Sequence, residues 1–218
     1  MSNRISSDWD TYNSDSANFF NKIFFLDIMV LAYEKLLKRA SFKKPISIIE
    51  LGCGTGYTSY RISQMIPTKK ITLVDSNSHM IDIAKRTFLN VACKKEFIQK
   101  DFFQLDLKQK YDLVHSGGVV EHFSDDKRNE LINLHAELMA EDGYCIIYAP
   151  TPTFPYRLVR KISEILGLWN FPDEVPIRKT QLIREVQESG LTVIGSNYFW
   201  RLFLTEIGVL AKKPKKGG

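Results

Sequence analysis

Apolar positions change rhythm along this chain. Over the first forty residues Phe20, Ile23, Phe24, Met29, Val30, Tyr33, Leu36 and Leu37 recur mostly at three- and four-residue intervals, the spacing of one helical face. After Pro45 the spacing gives way to short runs rich in β-branched residues, "ISIIEL" from Ile46 to Leu51 and "KITLVD" from Lys70 to Asp75. Runs of that length and type predict strands, with a helix from Tyr57 to Met65 between them. The alternation continues through a helix near 77–90, a strand around "EFIQKD", the strand "YDLVHS" from Tyr111 to Ser116, a helix from about Asp125 to Met139, and "GYCIIYAP". Strands alternating with helices imply parallel pairing through right-handed crossovers, with helices on both faces. The predicted fold class is α/β, a doubly wound, mostly parallel sheet.

The C-terminal part breaks this rhythm. Leu191 to Tyr198 and Phe203 to Lys212 read as two strands whose link, around Trp200 and Arg201, is too short for a helical crossover. One strand of the pair must therefore run antiparallel. Residues 151–178 form an insertion after the fifth strand, in which Leu158, Val159, Ile162, Ile165, Leu166 and Trp169 make one apolar stripe, with Arg157, Arg160, Lys161 and Glu164 off it. The expectation is a helix packed on the domain; the functional alternatives are a lid over an apolar ligand or an amphipathic element at a lipid surface. The expected organisation is a helical cap over 1–44 and one ligand-binding domain over 45–218.

Composition narrows the class. A chain of 218 residues, with 44% hydrophobic and 25% charged residues, suits one globular domain with a sizeable core. The net charge of +5 owes four lysines to the "KKPKK" end, so the body is close to neutral. Cys53, Cys93 and Cys145 are odd in number and lack metal-site spacing, which points to reduced thiols and away from disulfides or zinc. No secretory pattern opens the chain, and the longest apolar run, Ile23 to Tyr33, is interrupted by Asp27. A soluble, cytoplasmic protein is expected.

The chemistry gathers at "IIELGCGTGYTS". Three glycines at alternate positions between strand and helix bare the backbone for a ligand. A nicotinamide dinucleotide asks for Gly-x-Gly-x-x-Gly, but the sixth position here is Tyr57, and Gly56 falls one residue early. Glu50, Asp75 and Asp101 end three successive strands and project toward one crevice. Phosphate favours basic neighbours, whereas this acidic crevice suits a cationic ligand that carries hydroxyls and an amine.

S-adenosylmethionine is such a ligand. With "ITLVDSN", "QKDFFQ", "YDLVHSGGVVEH" and "LMAEDGYCIIYAP" in order, the sequence from about Pro45 to Lys212 resembles the class I S-adenosylmethionine-dependent methyltransferases, small-molecule type. That resemblance implies a seven-stranded sheet whose last strand is antiparallel. It also implies that Glu50 and the backbone of Gly52, Cys53, Gly54 and Gly56 hold the methionine end. Asp75, with Ser76 beside it, would take the ribose hydroxyls. Asp101 and the Phe102 N–H would take the adenine, Met80 would pack on its face, and Ser116 and Gly117 would line the side near the methyl group.

Methyl transfer from a sulfonium is an in-line displacement and needs a base only where the acceptor bears a proton of high pKa. His122 and Glu121 are the candidate catalytic residues. No set of metal ligands is apparent, and His79, His115 and His135 read as packing or surface residues. Tyr12, Tyr156 and Trp169 are candidates for the acceptor wall. The motifs of nucleic-acid base methyltransferases are absent, "SGGV" standing where the amino-directed ones carry their Pro-Pro-aromatic signature. A small-molecule acceptor, either a small metabolite or an apolar lipid- or quinone-like ring, is expected as partner, with peripheral membrane contact as an alternative use of the insertion. An oxidoreductase and a noncatalytic cofactor-binding subunit are the rival classes.

Overall fold

The computed structural model describes residues 29–42, 44–169, 171–201 and 204–214. Its strands are β1 (Ile46–Leu51), β2 (Thr68–Asp75), β3 (Lys94–Gln99), β4 (Tyr111–Gly117), β5 (Met139–Pro150), β6 (Thr192–Arg201) and β7 (Leu204–Lys212). They form one sheet in the order β3-β2-β1-β4-β5-β7-β6. The first five pair in parallel, and β7 lies antiparallel between β5 and β6. The chain works outward from β1 to β3 and then returns to begin the other half at β4. A cleft must open where those crossovers diverge, beyond the carboxyl ends of β1 and β4.

Helices cover both faces. On one side lie α1 (residues 29–37), α2 (Tyr57–Met65) and α3 (Ser78–Thr87); on the other lie α4 (Asp125–Leu138) and α6 (Lys179–Glu188). Neighbouring strand residues serve opposite layers. Ile48 packs with Tyr33, Leu36, Ile62 and Phe88, while Ile49 packs with Leu131, Ile132, Leu182 and Val186. This two-sided burial explains why β1 reads as an unbroken apolar run rather than an alternating one. Asn77 caps α3, its side-chain oxygen accepting from the His79 and Met80 backbone N–H groups. The α1 segment belongs to the core, with Tyr33 and Leu36 fully buried and the Tyr33 hydroxyl donating to the Ser116 carbonyl at 3.1 Å.

The inserted helix α5 (Phe154–Ile165) departs from the packed arrangement expected of it. Leu158, Ile162, Ile165 and Leu166 are 50, 47, 75 and 63% exposed. Its inward side is polar instead: the Tyr156 hydroxyl donates to Glu174, and an Arg160 guanidinium N–H donates to the Glu174 carbonyl at 2.9 Å. Hydrogen bonds hold this helix to the domain, so its apolar stripe is left facing out. No helix among the described residues is long and apolar enough to cross a membrane.

One buried ion pair ties α4 to α6. Arg128 donates through Nε and Nη2 to the two carboxylate oxygens of Glu185, each at 2.9 Å, and Nη2 also reaches Asp125 at 2.7 Å. Removing one partner strands a buried charge, which costs far more than the pair contributes. Glu185→Ala is accordingly expected to lose about 3–5 kcal/mol of unfolding free energy in urea denaturation; a loss below about 1 kcal/mol would show that Arg128 finds water or Asp125 instead.

Candidate functional site

A cavity of about 460 Å³ opens at the carboxyl ends of the central strands. Its first half is built by the turns after β1, β2 and β3. Glu50, Gly52, Cys53, Gly54, Asp75, Ser76, Met80, Asp101 and Phe102 all line it, as the sequence order of these strand ends predicted. The second half is built by α1, by the turn after β4 and by the β6–β7 pair, through Met29, Gly117, Val119, His122, Phe123, Phe199 and Glu206. Four carboxylates and no lysine or arginine occur among the described lining residues. The cavity therefore favours a cation over a phosphate.

The glycine turn divides its labour. Gly54 has φ +50° and nothing within 4 Å of where a Cβ would stand, so its backbone is bare to the cavity. Its N–H donates to Asp75 Oδ2 at 2.8 Å, while the Asn77 N–H donates to Oδ1 at 2.9 Å. Asp75 is thus fixed by two backbone donors and keeps lone pairs for more. Gly56 is different and is not in the wall. At φ +70° a Cβ there would lie 2.9 Å from Leu73 Cδ1 and 3.1 Å from the Phe88 ring, so this glycine lets α2 pack on β2. The ligand-holding role expected of Gly56 becomes a packing role.

Glu50 is buried at the floor and accepts from the Ser59 N–H at 3.3 Å. Its Oε1 lies 3.9 Å from Nδ1 of His115, whose Nε2 meets Ser59 Oγ at 2.9 Å. Burial drives both groups toward neutrality, raising the Glu50 pKa to about 8 and lowering that of His115 to about 3. The pair is therefore a protonated carboxyl beside a neutral imidazole, not an ion pair. Burial also raises the Cys53 thiol far above its ordinary pKa, which leaves it unreactive.

Two further expectations change beyond β4. Ser116 shares the strand face of Val114, two residues back, and is turned under α4, where its hydroxyl lies 3.0 Å from His135 Nε2. It does not line the cavity. The short 3-10 turn Val120–His122 points successive side chains about 120° apart. Val120 enters the core, Glu121 lies buried beneath the insertion, and His122 faces the cavity. Glu121 is thereby removed from the wall, and burial with the nearby Glu174 holds its pKa well above the carboxylate range.

His122 has a partner that the sequence did not disclose. Its Nδ1 lies 3.2 Å from Asp173 Oδ1, a residue of the insertion loop. Burial lowers the His122 pKa and the Asp173 charge partly opposes that, so the imidazole is neutral at pH 7. Tyr156 and Trp169 are not in the wall; they pack edge to face 6.1 Å apart beneath α5. Tyr12 lies outside the described residues. Phe199 and Glu206 were also missed in the sequence, because they reach the cavity only as a cross-strand pair of β6 and β7.

Comparison with known proteins follows this geometry. Residues 48–143 match a family model described as "Methyltransferase domain". A malonyl-[acyl-carrier protein] O-methyltransferase of Bacillus anthracis is 36% identical over 91 residues, 42% of this chain and 33% of that protein. A second, from Bacillus cytotoxicus, is 34% identical over 109 residues, 49% of this chain and 36% of its own. The chain thus spans about a third of the length of these curated relatives. Among solved structures, a magnesium protoporphyrin IX methyltransferase from Synechocystis with bound S-adenosylhomocysteine superposes with a TM-score of 0.70 at 18% identity, covering 94% of this chain and 92% of that one. An N-methyltransferase from Bradyrhizobium japonicum, also with S-adenosylhomocysteine, gives 0.64 at 15% identity, covering 95% and 93%.

The burial of Glu50 sets a pH dependence. Its folded pKa, about 8, exceeds the ordinary 4.5, so between those values the unfolded chain has shed a proton that the folded chain keeps. The contribution of Glu50 to the stability of the ligand-free protein should fall as pH rises through this window, by at most about 1.4 kcal/mol per pH unit. Glu50→Gln removes that contribution and leaves those of the other buried groups; urea titrations at pH 5 and pH 8 should show the variant gaining on the wild type, and parallel behaviour of the two would place Glu50 in contact with water.

Proposed function

We propose that this chain, whose residues 48–143 match a methyltransferase-domain model and whose fold is that of solved methyltransferases, is a class I methyltransferase that binds S-adenosylmethionine and passes the methyl group to an O, N or C atom of a small apolar acceptor. The observation that carries the reading is a bared glycine turn beside carboxylates, with no lysine or arginine among the described lining residues. A dinucleotide would bring a pyrophosphate into that acidic wall without a counter-charge. A sulfonium and an ammonium suit it.

Asp75 keeps acceptor capacity for two ribose hydroxyls, since its oxygens each hold only one backbone donor. Asp101 has one oxygen engaged by the Phe103 N–H at 2.9 Å, which leaves the other for the adenine amino group. Met80 and Phe102 supply apolar surface for the base. Glu50, neutral when the cavity lacks a cation, ionises when an ammonium arrives, because opposite charge lowers a buried acid's pKa.

The acceptor then lies in the second half, against Val119, Phe123 and Phe199. These three side chains are apolar, with Glu206 the acid on the same side, and Phe123 continues into edge contact with Phe102 and Phe103 at 5.7 and 5.3 Å. For an acceptor carrying an O–H, the oxygen attacks the methyl carbon, the sulfonium leaves as a thioether, and the proton passes to neutral His122. Asp173 lies on the Nδ1 side of that ring, which leaves Nε2, 3.9 Å from Glu121 Oε1, to take the proton. Asp173 is a positioning residue in this scheme. A lipid- or quinone-like acceptor would lie in membrane, so peripheral membrane contact belongs to the same reading.

Two measurements test it. Asp75→Ala should weaken S-adenosylmethionine binding by about 10- to 100-fold in calorimetry, through loss of hydrogen bonds to a charged acceptor; undiminished affinity would sink the ribose assignment. His122→Ala should lower kcat on an O–H acceptor by about 100-fold or more while S-adenosylhomocysteine affinity holds. Unchanged turnover would leave His122 with a structural role only.

A further inference from the structure

Helix α5 is built inside out. Amphipathic helices of soluble domains direct their apolar stripe to the core, but α5 directs Tyr156 and Arg160 there and leaves Phe154, Leu158, Ile162, Ile165 and Leu166 exposed. Leu168, just past its end, is exposed as well. Such a run of aliphatic side chains on one convex helix exceeds the scattered apolar residues of an ordinary surface and marks a contact.

Two observations identify the occupant. The first is charge: Arg157 and Lys161 border the stripe and are exposed, while Glu164, the helix's one acid, is neutralised by Arg160 at 2.8 Å. The rim is therefore cationic. The second is a pair of exposed aromatics on β6. Trp200 stands opposite Thr205 in the β6–β7 ladder, so the two side chains share a face of the sheet. Thr205 Oγ1 lies 2.7 Å from Oγ1 of Thr153, the N-cap of α5. The half-exposed indole thus emerges beside the start of the apolar stripe, with Tyr198 on the same sheet face and Lys179 Nζ 5.2 Å from the Tyr198 ring centre. Aliphatic ridge, cationic rim and amphipathic Trp and Tyr are the elements of a surface that rests in a lipid interface.

We infer that α5, with Trp200 and Tyr198, seats this protein on an anionic lipid surface. The inference rests on the proposed function in one respect: the seat adjoins the acceptor half of the cavity, because Thr205 precedes the lining residue Glu206 and the Val175 N–H donates to the carbonyl of Glu121, next to His122. An acceptor dissolved in the bilayer would enter from that side. An acidic protein surface would answer the rim charge equally well, but the exposed Trp200 and Tyr198 beside a ridge of aliphatic side chains suit a lipid interface better.

Flotation of the full chain with vesicles tests the seat, using phosphatidylcholine alone and phosphatidylcholine mixed with phosphatidylglycerol. The wild type should float with the anionic vesicles, and less so as salt is raised. The paired change Ile162→Ser and Ile165→Ser preserves every charge, including the C-terminal lysines, and should reduce the bound fraction about tenfold or more. Arg157→Gln with Lys161→Gln should weaken binding to anionic vesicles and leave any binding to neutral ones unchanged. Failure of the wild type to float with either vesicle overturns the inference, as does equal flotation of the serine variant, which would assign the binding to the basic tail. A wild type that ignores vesicles but forms a dimer in light scattering, with the serine variant monomeric, overturns it in favour of a second copy. Titration of S-adenosylhomocysteine into the same samples separates the two readings: intact cofactor binding without flotation removes the lipid seat alone, and flotation without cofactor binding removes the proposed function alone.

Discussion

Burial of β1 and β4 on both faces is the constraint from which the rest follows. Ile48, Ile49, Leu113 and Val114 are all inaccessible to solvent, each feeding a different helical layer from its neighbour. Polar chemistry cannot sit along such strands without desolvation, so it concentrates where they end. Because the crossovers diverge between β1 and β4, those ends face an open cleft instead of a helix. The carboxylates and the glycine turn stand where the sheet's own packing stops.

That placement also sets the electrostatics. Asp75 is reached by backbone donors at the rim, whereas Glu50 lies deep enough to hold its proton beside the neutral His115. One carboxylate is thus held in place with lone pairs to spare, and in the proposed function another acquires its charge only when a cation makes that favourable. The floor of the cavity carries no uncompensated charge in the meantime. In a low-dielectric site this arrangement costs less than a permanent buried anion.

The insertion unites the proposed chemistry with the proposed location. Its loop places Asp173 against His122, and the adjoining Glu174 accepts from Tyr156 and Arg160 of α5. Polar anchoring of the helix is what frees its apolar stripe for another medium. A helix held by its own hydrophobic face could not serve both ends. The segment that holds His122 is therefore also the segment that presents the ridge, and Trp200 joins it through the Thr153–Thr205 contact.

By itself the sequence determined the sheet and the first half of the cavity. Strand periodicity, the short link before β7 and the acids ending β1 to β3 are local signals, and local signals carry over because a strand's direction places its terminal residue. Tertiary structure alone decided the rest. Ser116 and Glu121 were legible as residues next to the site, but strand pleat and a 3-10 turn point them away from it. Gly56 serves α2 packing because of where Leu73 and Phe88 stand, and Phe199, Glu206 and Asp173 reach the cavity from distant segments. The stripe of α5 was visible as a period, yet a period says only that one face is apolar. Which way that face turns depends on whether the opposite face finds better partners, and here Glu174 provides them.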